Sequence, residues 1–307
     1  MIRFSIIIPV YNRVRYLNRL FESLCTQHYR PLEIILVDNG SVDASLSVCM
    51  DFARRHAGEA DFKVKVLSAP ERRGACYARN RGAACAGGDY LYFFDSDDEL
   101  SPCFFQLVAE VIQKNSAPDV IAARTLLVTA DGVAKKRKVY HTASVSDQIL
   151  TGMLSTQSMV LAARFYRETG GWNEALPRWN DWEFGIRVLL RRPLLHWMEG
   201  TYHRIHLHAD SITGTSFSES APALYRAICT VRVELVEARD RKALWYRQTI
   251  LAAFFRREHS DEWAARLLAE AVGQCASRFE RMKIRGLYAY LVCGGRGAWL
   301  LARWLLG

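Results

Sequence analysis

Four short apolar runs, each closed by polar residues, constrain this chain more than any other feature. Phe4 to Val10 is apolar and β-branched, and Tyr11-Asn12 follows it. Leu32 to Val37 ends at Asp38-Asn39-Gly40-Ser41, Val64 to Ser68 is a third run, and Tyr90 to Phe94 leads into Asp95-Ser96-Asp97-Asp98. Short apolar runs of this kind, bounded by turn residues, read as buried strands. Residues 14–27 between them carry Leu17, Leu20, Phe21 and Leu24 at helical spacing, residues 42–56 read as a second helix, and a third spans about 75–86, ahead of Gly87-Gly88. The order βαβαβαβ predicts a mainly parallel sheet with helices on both faces. Ligands of such sheets gather at the carboxyl ends of the strands. Tyr11-Asn12, Asp38 and Asp95–Asp98 all fall on that edge.

Beyond residue 100 the pattern changes. Residues 102–114 read as a helix and 120–129 as a strand. Ala130-Asp131-Gly132 has the composition of a hairpin turn, and Lys135 to Lys138 behind it reads as a solvated basic face. A strand at 159–163, a helix at 181–191 and an extended stretch at 194–205 follow, and from about 221 the chain reads as helical to its end.

Half the residues are hydrophobic and 24% are charged, an ordinary globular balance. The eight cysteines include no CxxC pair, which argues against a zinc knuckle or dithiol site and predicts reduced, mostly buried thiols in a cytosolic protein. No leader is read ahead of the first strand, and no apolar stretch reaches the roughly 18 residues of a membrane span. The net charge of +9 is uneven: residues 276–307 hold six basic residues against one acid. A nucleic-acid partner is not expected, because its basic footprint would spread over a folded face.

The strongest single cluster is Asp95-Ser96-Asp97-Asp98. Carboxylates at the end of a buried strand are costly unless a cation or hydrogen-bond donors compensate them, and hard divalent ions such as Mg²⁺ or Mn²⁺ take oxygen ligands and bridge diphosphates. The alternative is helix capping, with Ser101 ahead of Pro102 and Asp98 or Glu99 favouring a helix start. Asp38 has the chemistry to meet a base or ribose edge. Arg79 suits a phosphate or base, or else a helix surface. Trp179-Asn180-Asp181-Trp182-Glu183 sets two carboxylates among tryptophans, whose desolvation would strengthen a general base; the alternative is an N-cap at Asp181 with Trp182 in the core. His203, His206 and His208 lie in six residues, and alternation puts His206 and His208 on one face, where one of them could complete a metal shell or contact phosphate.

Together these residues resemble the inverting family 2 glycosyltransferases of the GT-A fold, over roughly residues 3–213. The motifs that carry the resemblance are Phe4-Ser5-Ile6-Ile7-Ile8-Pro9-Val10-Tyr11-Asn12, Glu33 to Asp43, Ala78-Arg79-Asn80-Arg81-Gly82, Asp95-Ser96-Asp97-Asp98, Gly170-Gly171-Trp172-Asn173-Glu174, Asn180-Asp181-Trp182-Glu183 and Tyr202-His203-Arg204-Ile205-His206. The resemblance implies a GT-A catalytic domain over 1–215, with a nucleotide-binding half (1–100) and an acceptor half (101–215), and a helical extension over 216–307. It implies a nucleotide pocket lined by Pro9, Val10, Tyr11, Asn12, Asp38, Arg79, Asp95 and Ser96. Asp38 would face the base and Asp95 the ribose or sugar. Asp97 would be the main ligand of Mn²⁺ or Mg²⁺, with His206 at the metal or diphosphate. Asp181 would be the catalytic base, with Trp182, Glu183 and His208 as secondary candidates.

The implied reaction moves one sugar from a nucleotide-diphospho-sugar, UDP by family frequency, to a carbohydrate, lipid-linked or other hydroxyl acceptor, with inversion, in surface polysaccharide or glycoconjugate synthesis. Asn39 and Asn180 stand where the family commonly has acids. The first would weaken a helper contact to the nucleotide; the second would leave Asp181 less shifted. Arg178-Trp179 matches the end of the QxxRW motif of processive synthases, but Ala175 holds the glutamine position, so a non-processive enzyme is expected. The rival readings are a non-catalytic glycosyltransferase-like subunit and a nucleotidyltransferase, whose phosphate loop is missing at Pro9-Val10-Tyr11-Asn12. The tail reads either as helices packing on the catalytic domain or on a second copy, or as a segment lying on the inner face of the cell membrane from the cytoplasmic side.

Overall fold

The computed structural model describes residues 1–69, 71–129, 132–136, 141–206 and 216–307. The chain forms two compact units. The first takes in Met1–His141, Leu154–Pro177 and Arg191–Ala209; the second takes in Thr142–Met153, Arg178–Leu190 and Asp210–Gly307.

In the first unit, β1 (Phe4–Val10), β2 (Leu32–Asn39), β3 (Phe62–Ala69) and β4 (Tyr90–Phe93) lie in the order β3-β2-β1-β4, all parallel. All of β2 and all of β1 but Pro9 is buried, as expected of apolar runs covered on both faces. β3 exposes Lys63 and Lys65, charges that suit a sheet edge. The register fixes the functional edge. Val10 stands opposite Asp38 and Asp38 opposite Ser68, while Ile7 stands opposite Phe93, two residues ahead of Asp95.

Beyond β4 the sheet becomes mixed. It continues through β8 (Met159–Ala162), β6 (Val120–Val128), β9 (Leu195–His206) and β5 (Glu99–Leu100), with β7 (Ala134–Lys136) on β6. Only the β6–β9 pair there is parallel. β7 pairs antiparallel with β6, and Gly132 has φ +77° and donates its N–H to the Thr129 carbonyl; of the turn and basic run expected here, Ala130, Asp131, Arg137 and Lys138 lie outside the described residues.

Helices α1 (Val14–Cys25), α2 (Ser45–Arg55) and α3 (Ala75–Ala84) connect the parallel strands, and α4 (Phe104–Lys114) follows β5. A Cβ added at Gly82 of α3 would lie 2.5 Å from Ile7 Cγ2 and 3.1 Å from Val37 Cγ2, so glycine lets the helix rest directly on β1 and β2. At the other end of the strands, Ser5 and the Gly87 N–H donate to the buried Glu33 carboxylate, which Lys65 meets at 2.7 Å. Burial pushes that carboxyl up, but these partners outweigh it and hold it below the ordinary range.

The second unit is helical. It contains α5 (Val145–Thr151), α7 (Asn180–Leu190), α8 (Ala221–Glu234), α9 (Ala238–Arg257), α10 (Asp261–Gly273), α11 (Arg278–Val292) and α12 (Ala298–Leu306); α6 (Ala163–Thr169) belongs to the first. α9 is its axis. Twelve of its twenty residues are buried, and α5, α10, α11 and α12 pack around it. Such a helix is buried nearly all round and shows little amphipathic pattern. Ser146 bonds Asp240 in the interior, and Arg303 meets Asp147 at 2.8 Å. Among the described residues no helix is long and apolar enough to cross a membrane.

The cysteines correct one expectation. All eight are free, but only Cys49, Cys76 and Cys275 are buried. Cys25, Cys85 and Cys293 are exposed because they sit at the C-terminal ends of α1, α3 and α11, where the chain turns toward solvent.

Because Gly82 touches β-sheet side chains, Gly82→Ala should overpack this contact and lower stability by about 1–3 kcal/mol. Urea denaturation reads the change, and an unshifted midpoint would contradict the close approach.

Candidate active site

At the carboxyl edge of β1 and β2 the backbone is tied into a small cradle. Asn12 has φ +52° and receives the Val42 N–H at 2.9 Å, while its own N–H donates to Ser41 Oγ at 3.0 Å. Asp38 is 2% exposed. Its Oδ2 accepts the N–H groups of Gly40 and Ser41, both at 3.3 Å, while its Oδ1 is buried with no hydrogen-bond partner among the described residues. Asn39 accepts the Arg73 N–H at 2.9 Å, and the neighbouring Arg72 guanidinium lies 4.2 Å from the Tyr11 ring centroid. Asn39 therefore anchors the loop that covers Tyr11. Pro9 and Val10 form the floor of this edge as the last residues of β1.

The segment that leads from β4 into β5 holds Asp95, Asp97, Asp98 and Glu99, and each acid has compensating partners. Arg79 donates to Asp95 Oδ1 at 2.8 Å. Gln157 Nε2 reaches both Asp95 Oδ2, at 2.6 Å, and Asp98 Oδ2, at 2.7 Å. The His206 N–H donates to Asp98 Oδ1 at 2.9 Å. Arg13 stands 3.6 Å from Asp97, and Arg19 meets Glu99 at 3.2 Å. Burial, with Asp95 and Asp97 beside it, pushes the Asp98 carboxyl well above the carboxylate range, against the pull of the His206 N–H and Gln157. Ser96 is buried between these acids. The capping alternative does not hold: α4 starts at Phe104 after Cys103, without a side-chain cap, and Glu99 is paired with Arg204 across β5 and β9.

Arg79 is not a surface residue. It is 5% exposed, and its guanidinium lies 4.6 Å from the Trp172 ring centroid. Asn80 fixes that tryptophan by donating to the Trp172 carbonyl and accepting its N–H, both at 2.8 Å. Gly171, at φ +75°, would carry a Cβ only 2.8 Å from Asn80 Oδ1. The Gly-Gly-Trp turn thus brings Trp172 under Arg79, and Arg79 onto Asp95.

Asp181 belongs to the second unit, in the first turn of α7. It is half-buried, and its Oδ1 accepts the Trp182 N–H at 2.8 Å. Trp182 is core, and its indole N–H donates to the Ile149 carbonyl at 2.9 Å. Glu183 is 1% exposed and held by Arg187, which leaves Asp181 as the carboxylate of this turn that meets solvent. Trp179 precedes it with φ +56°. The Arg247 guanidinium of α9 lies 4.3 Å from the Trp179 centroid and 4.3 Å from that of Trp299, and bonds the Leu150 carbonyl.

Several site residues had no legible signal. Gln157 sits in a single 3₁₀ turn, Thr156–Ser158, and its amide bridges Asp95 and Asp98. Arg13, Arg19 and Arg247 belong to none of the motifs that mark the site in the sequence. His208 lies outside the described residues.

A carboxylate and an imidazole are candidate donors for a divalent ion. The Asp97 carboxylate and the His206 imidazole belong to segments tied together by the Asp98–His206 bond and the β5–β9 pairing. Among the described residues no three His, Cys, Asp or Glu side chains are gathered to hold an ion alone. A diphosphate-bridging ion needs few protein ligands, since phosphate and water oxygens complete its shell.

The model of Glycosyl transferase family 2 matches residues 5–182, more than half of the chain, and the chain belongs to this family. Glycosyltransferase GlyG of Streptococcus pneumoniae is 35% identical over 117 residues, covering 38% of this chain and 37% of that protein. An uncharacterized glycosyltransferase of Haemophilus influenzae is 42% identical over 97 residues, covering 32% and 37%. The chain thus spans little more than a third of the length of these curated relatives. Among solved structures, residues 1–349 of S. aureus TarS, in complex with UDP, share the fold with a TM-score of 0.69 at 18% identity, over 95% of this chain and 87% of that one; TarS is also known with UDP-GlcNAc. The mannosyltransferase PcManGT of Pyrobaculum calidifontis, in complex with GDP-Man and Mn²⁺, aligns with a TM-score of 0.60 at 14% identity, over 98% and 86%. The fold is that of GT-A glycosyltransferases.

Opposite Leu100 in the β5–β9 pair lies His203, 1% exposed, against the rings of Tyr92 and Phe104, with neither ring nitrogen bonded among the described residues. Burial lowers its pKa from 6.5 to about 3. The folded protein keeps it neutral while the unfolded chain takes up a proton below pH 6.5, so stability present above that pH is lost as pH falls toward 3. Between pH 7 and 5 the loss should be about 2 kcal/mol. His203→Phe should lower stability by that much less over the same interval in urea titrations. Equal pH slopes in the two proteins would contradict the neutral burial.

Proposed function

We propose that the chain transfers one sugar from a nucleotide-diphospho-sugar, with UDP as the nucleotide, to an acceptor hydroxyl with inversion, in surface polysaccharide or glycoconjugate synthesis on the cytoplasmic side of the membrane. The observation that carries the donor half is Asp38. One of its oxygens is held by the turn, and the other is buried without a donor among the described residues. A buried acceptor left unmade costs about 1–3 kcal/mol, and the ring N–H of a uracil base would satisfy it. Family membership supports the reaction class, and the UDP and UDP-GlcNAc complexes of TarS support the choice of nucleotide.

In this reading residues 1–100 form the nucleotide half and 101–215 the acceptor half, with 216–307 as a helical extension. Pro9, Val10, Tyr11 and Asn12 line the base and ribose side with Asp38. Arg79 orients Asp95 toward the ribose or sugar. Mg²⁺ or Mn²⁺ held by Asp97 and His206 would supply charge stabilisation for the departing diphosphate. Asp181 takes the proton of the acceptor hydroxyl as its oxygen bonds to the anomeric carbon and the bond from that carbon to the diphosphate oxygen breaks. A single displacement inverts the centre. Glu183, neutralised by Arg187, shapes the helix end and moves no proton.

Two measurements test this. Asp181→Asn should slow transfer by about 10²–10⁴-fold while UDP binding by calorimetry stays close to wild type; full activity would remove Asp181 from the role of base. Asp97→Ala should abolish the increment in UDP affinity that Mn²⁺ produces. If the unaltered protein shows no Mn²⁺-dependent binding of any nucleoside diphosphate, this reading is overturned.

A further inference from the structure

We propose that α11 and α12 form a face that docks on anionic lipid. Exposed large apolar side chains are scattered singly over most of the described chain, but Phe279, Met282, Tyr290, Leu300 and Trp304 are concentrated in these two helices. On α11, Phe279, Met282, Gly286 and Tyr290 follow the spacing i, i+3, i+7, i+11 and form one stripe. A neighbouring face of the same helix, Ile284, Leu287 and Leu291, is buried in the second unit. A Cβ at Gly286 would meet nothing within 4 Å, so the stripe opens outward. On α12, Leu300 and Trp304 are 59% and 76% exposed, one turn apart, while Ala298 and Ala302 face inward. Lys283 joins the two helices. Its Nζ lies 5.0 Å from the Phe279 ring centroid and donates to the Leu305 carbonyl at 3.0 Å. Phe279 and the Trp304 end of α12 therefore sit side by side.

The charges around this stripe select the occupant. Arg278, Arg285 and Arg296 are exposed. The one acid of the segment, Glu280, is already neutralised by Lys242 at 2.6 Å and by the cap it makes with Ser277. An apolar stripe with a purely basic fringe is complementary to a lipid surface that offers acyl chains and anionic headgroups together. A second copy of the chain is a poorer fit. A two-fold contact through this face would set the same arginines against one another. The tail is thus both packed and exposed: one side of α11 is core, another is a docking surface.

The test is sedimentation of the full chain with vesicles of phosphatidylcholine alone, or of phosphatidylcholine with one part in three phosphatidylglycerol, together with sedimentation equilibrium of the protein without lipid. At least tenfold stronger partition to the phosphatidylglycerol vesicles, reduced in high salt, is expected. Phe279→Ser/Met282→Ser/Trp304→Ser should lose that partition while its melting temperature stays near wild type, because all three side chains are exposed. Arg278→Glu/Arg285→Glu should lose it too, while leaving the apolar stripe intact. Equal binding to both vesicles, or wild-type binding by the triple variant, would overturn the proposal. So would a wild-type dimer that the triple variant converts to monomer without any vesicle binding.

Discussion

Four carboxyl groups within five residues, set at the end of a buried strand, repel one another and resist desolvation. The first unit is arranged around neutralising them. Arg79 and Gln157 share Asp95, Gln157 and the His206 N–H share Asp98, and Arg13 and Arg19 stand against Asp97 and Glu99. These partners come from α3, the turn before β8, the end of β9 and the start of α1. The acidic segment is therefore held by residues from both halves of the sheet. Burial beside Asp95 and Asp97 also pushes the Asp98 carboxyl well above the ordinary range. Asp97 stands 3.6 Å from the Arg13 guanidinium.

The second unit solves a different problem with a related device. Its proposed base stands on the first turn of α7, behind a tryptophan in the left-handed region, a conformation that a bulky side chain adopts only under constraint. The constraint is Arg247, whose guanidinium lies between Trp179 and Trp299 and also caps the Leu150 carbonyl. Cation–π contacts of a desolvated guanidinium reach about 2 kcal/mol, enough to offset the strain of one such residue. The helices beyond residue 216 thus share this unit with the loop ahead of Asp181. Through Arg247 of α9 they hold Trp179 in that loop.

What was legible in the sequence follows from range. The strands β1, β2 and β4 and helices α1 to α3 are set by local periodicity, and the acids that end those strands are placed by the same periodicity. β5 is only two residues long and exists because Glu99 and Leu100 pair with Arg204 and His203, more than a hundred residues away. α5 and α6, seven residues each, carry too little periodicity to be read. Gln157 is the sharpest case. Nothing near it in sequence marks it, and its role comes from two carboxylates some sixty residues earlier. The cysteine expectation failed for a related reason: helix C-termini expose thiols that composition assigns to the core.

The two departures from the family pattern are best judged by the partners these asparagines have. Asn39 accepts the Arg73 N–H and so holds the loop whose Arg72 covers Tyr11. A carboxylate could accept that same bond, but it would add a second buried negative charge beside Asp38, whose Oδ1 already has no donor among the described residues. Asparagine keeps the anchor and avoids that repulsion. At position 180 the argument runs the same way. α7 already brings Asp181 and Glu183 into its first turn, where the helix dipole favours them. Glu183 needs Arg187 to be buried there, and a third acid at 180 would have to find a cation of its own. Both amides therefore preserve geometry while lowering the local negative charge, and that charge is what the arginines around each site are arranged to balance.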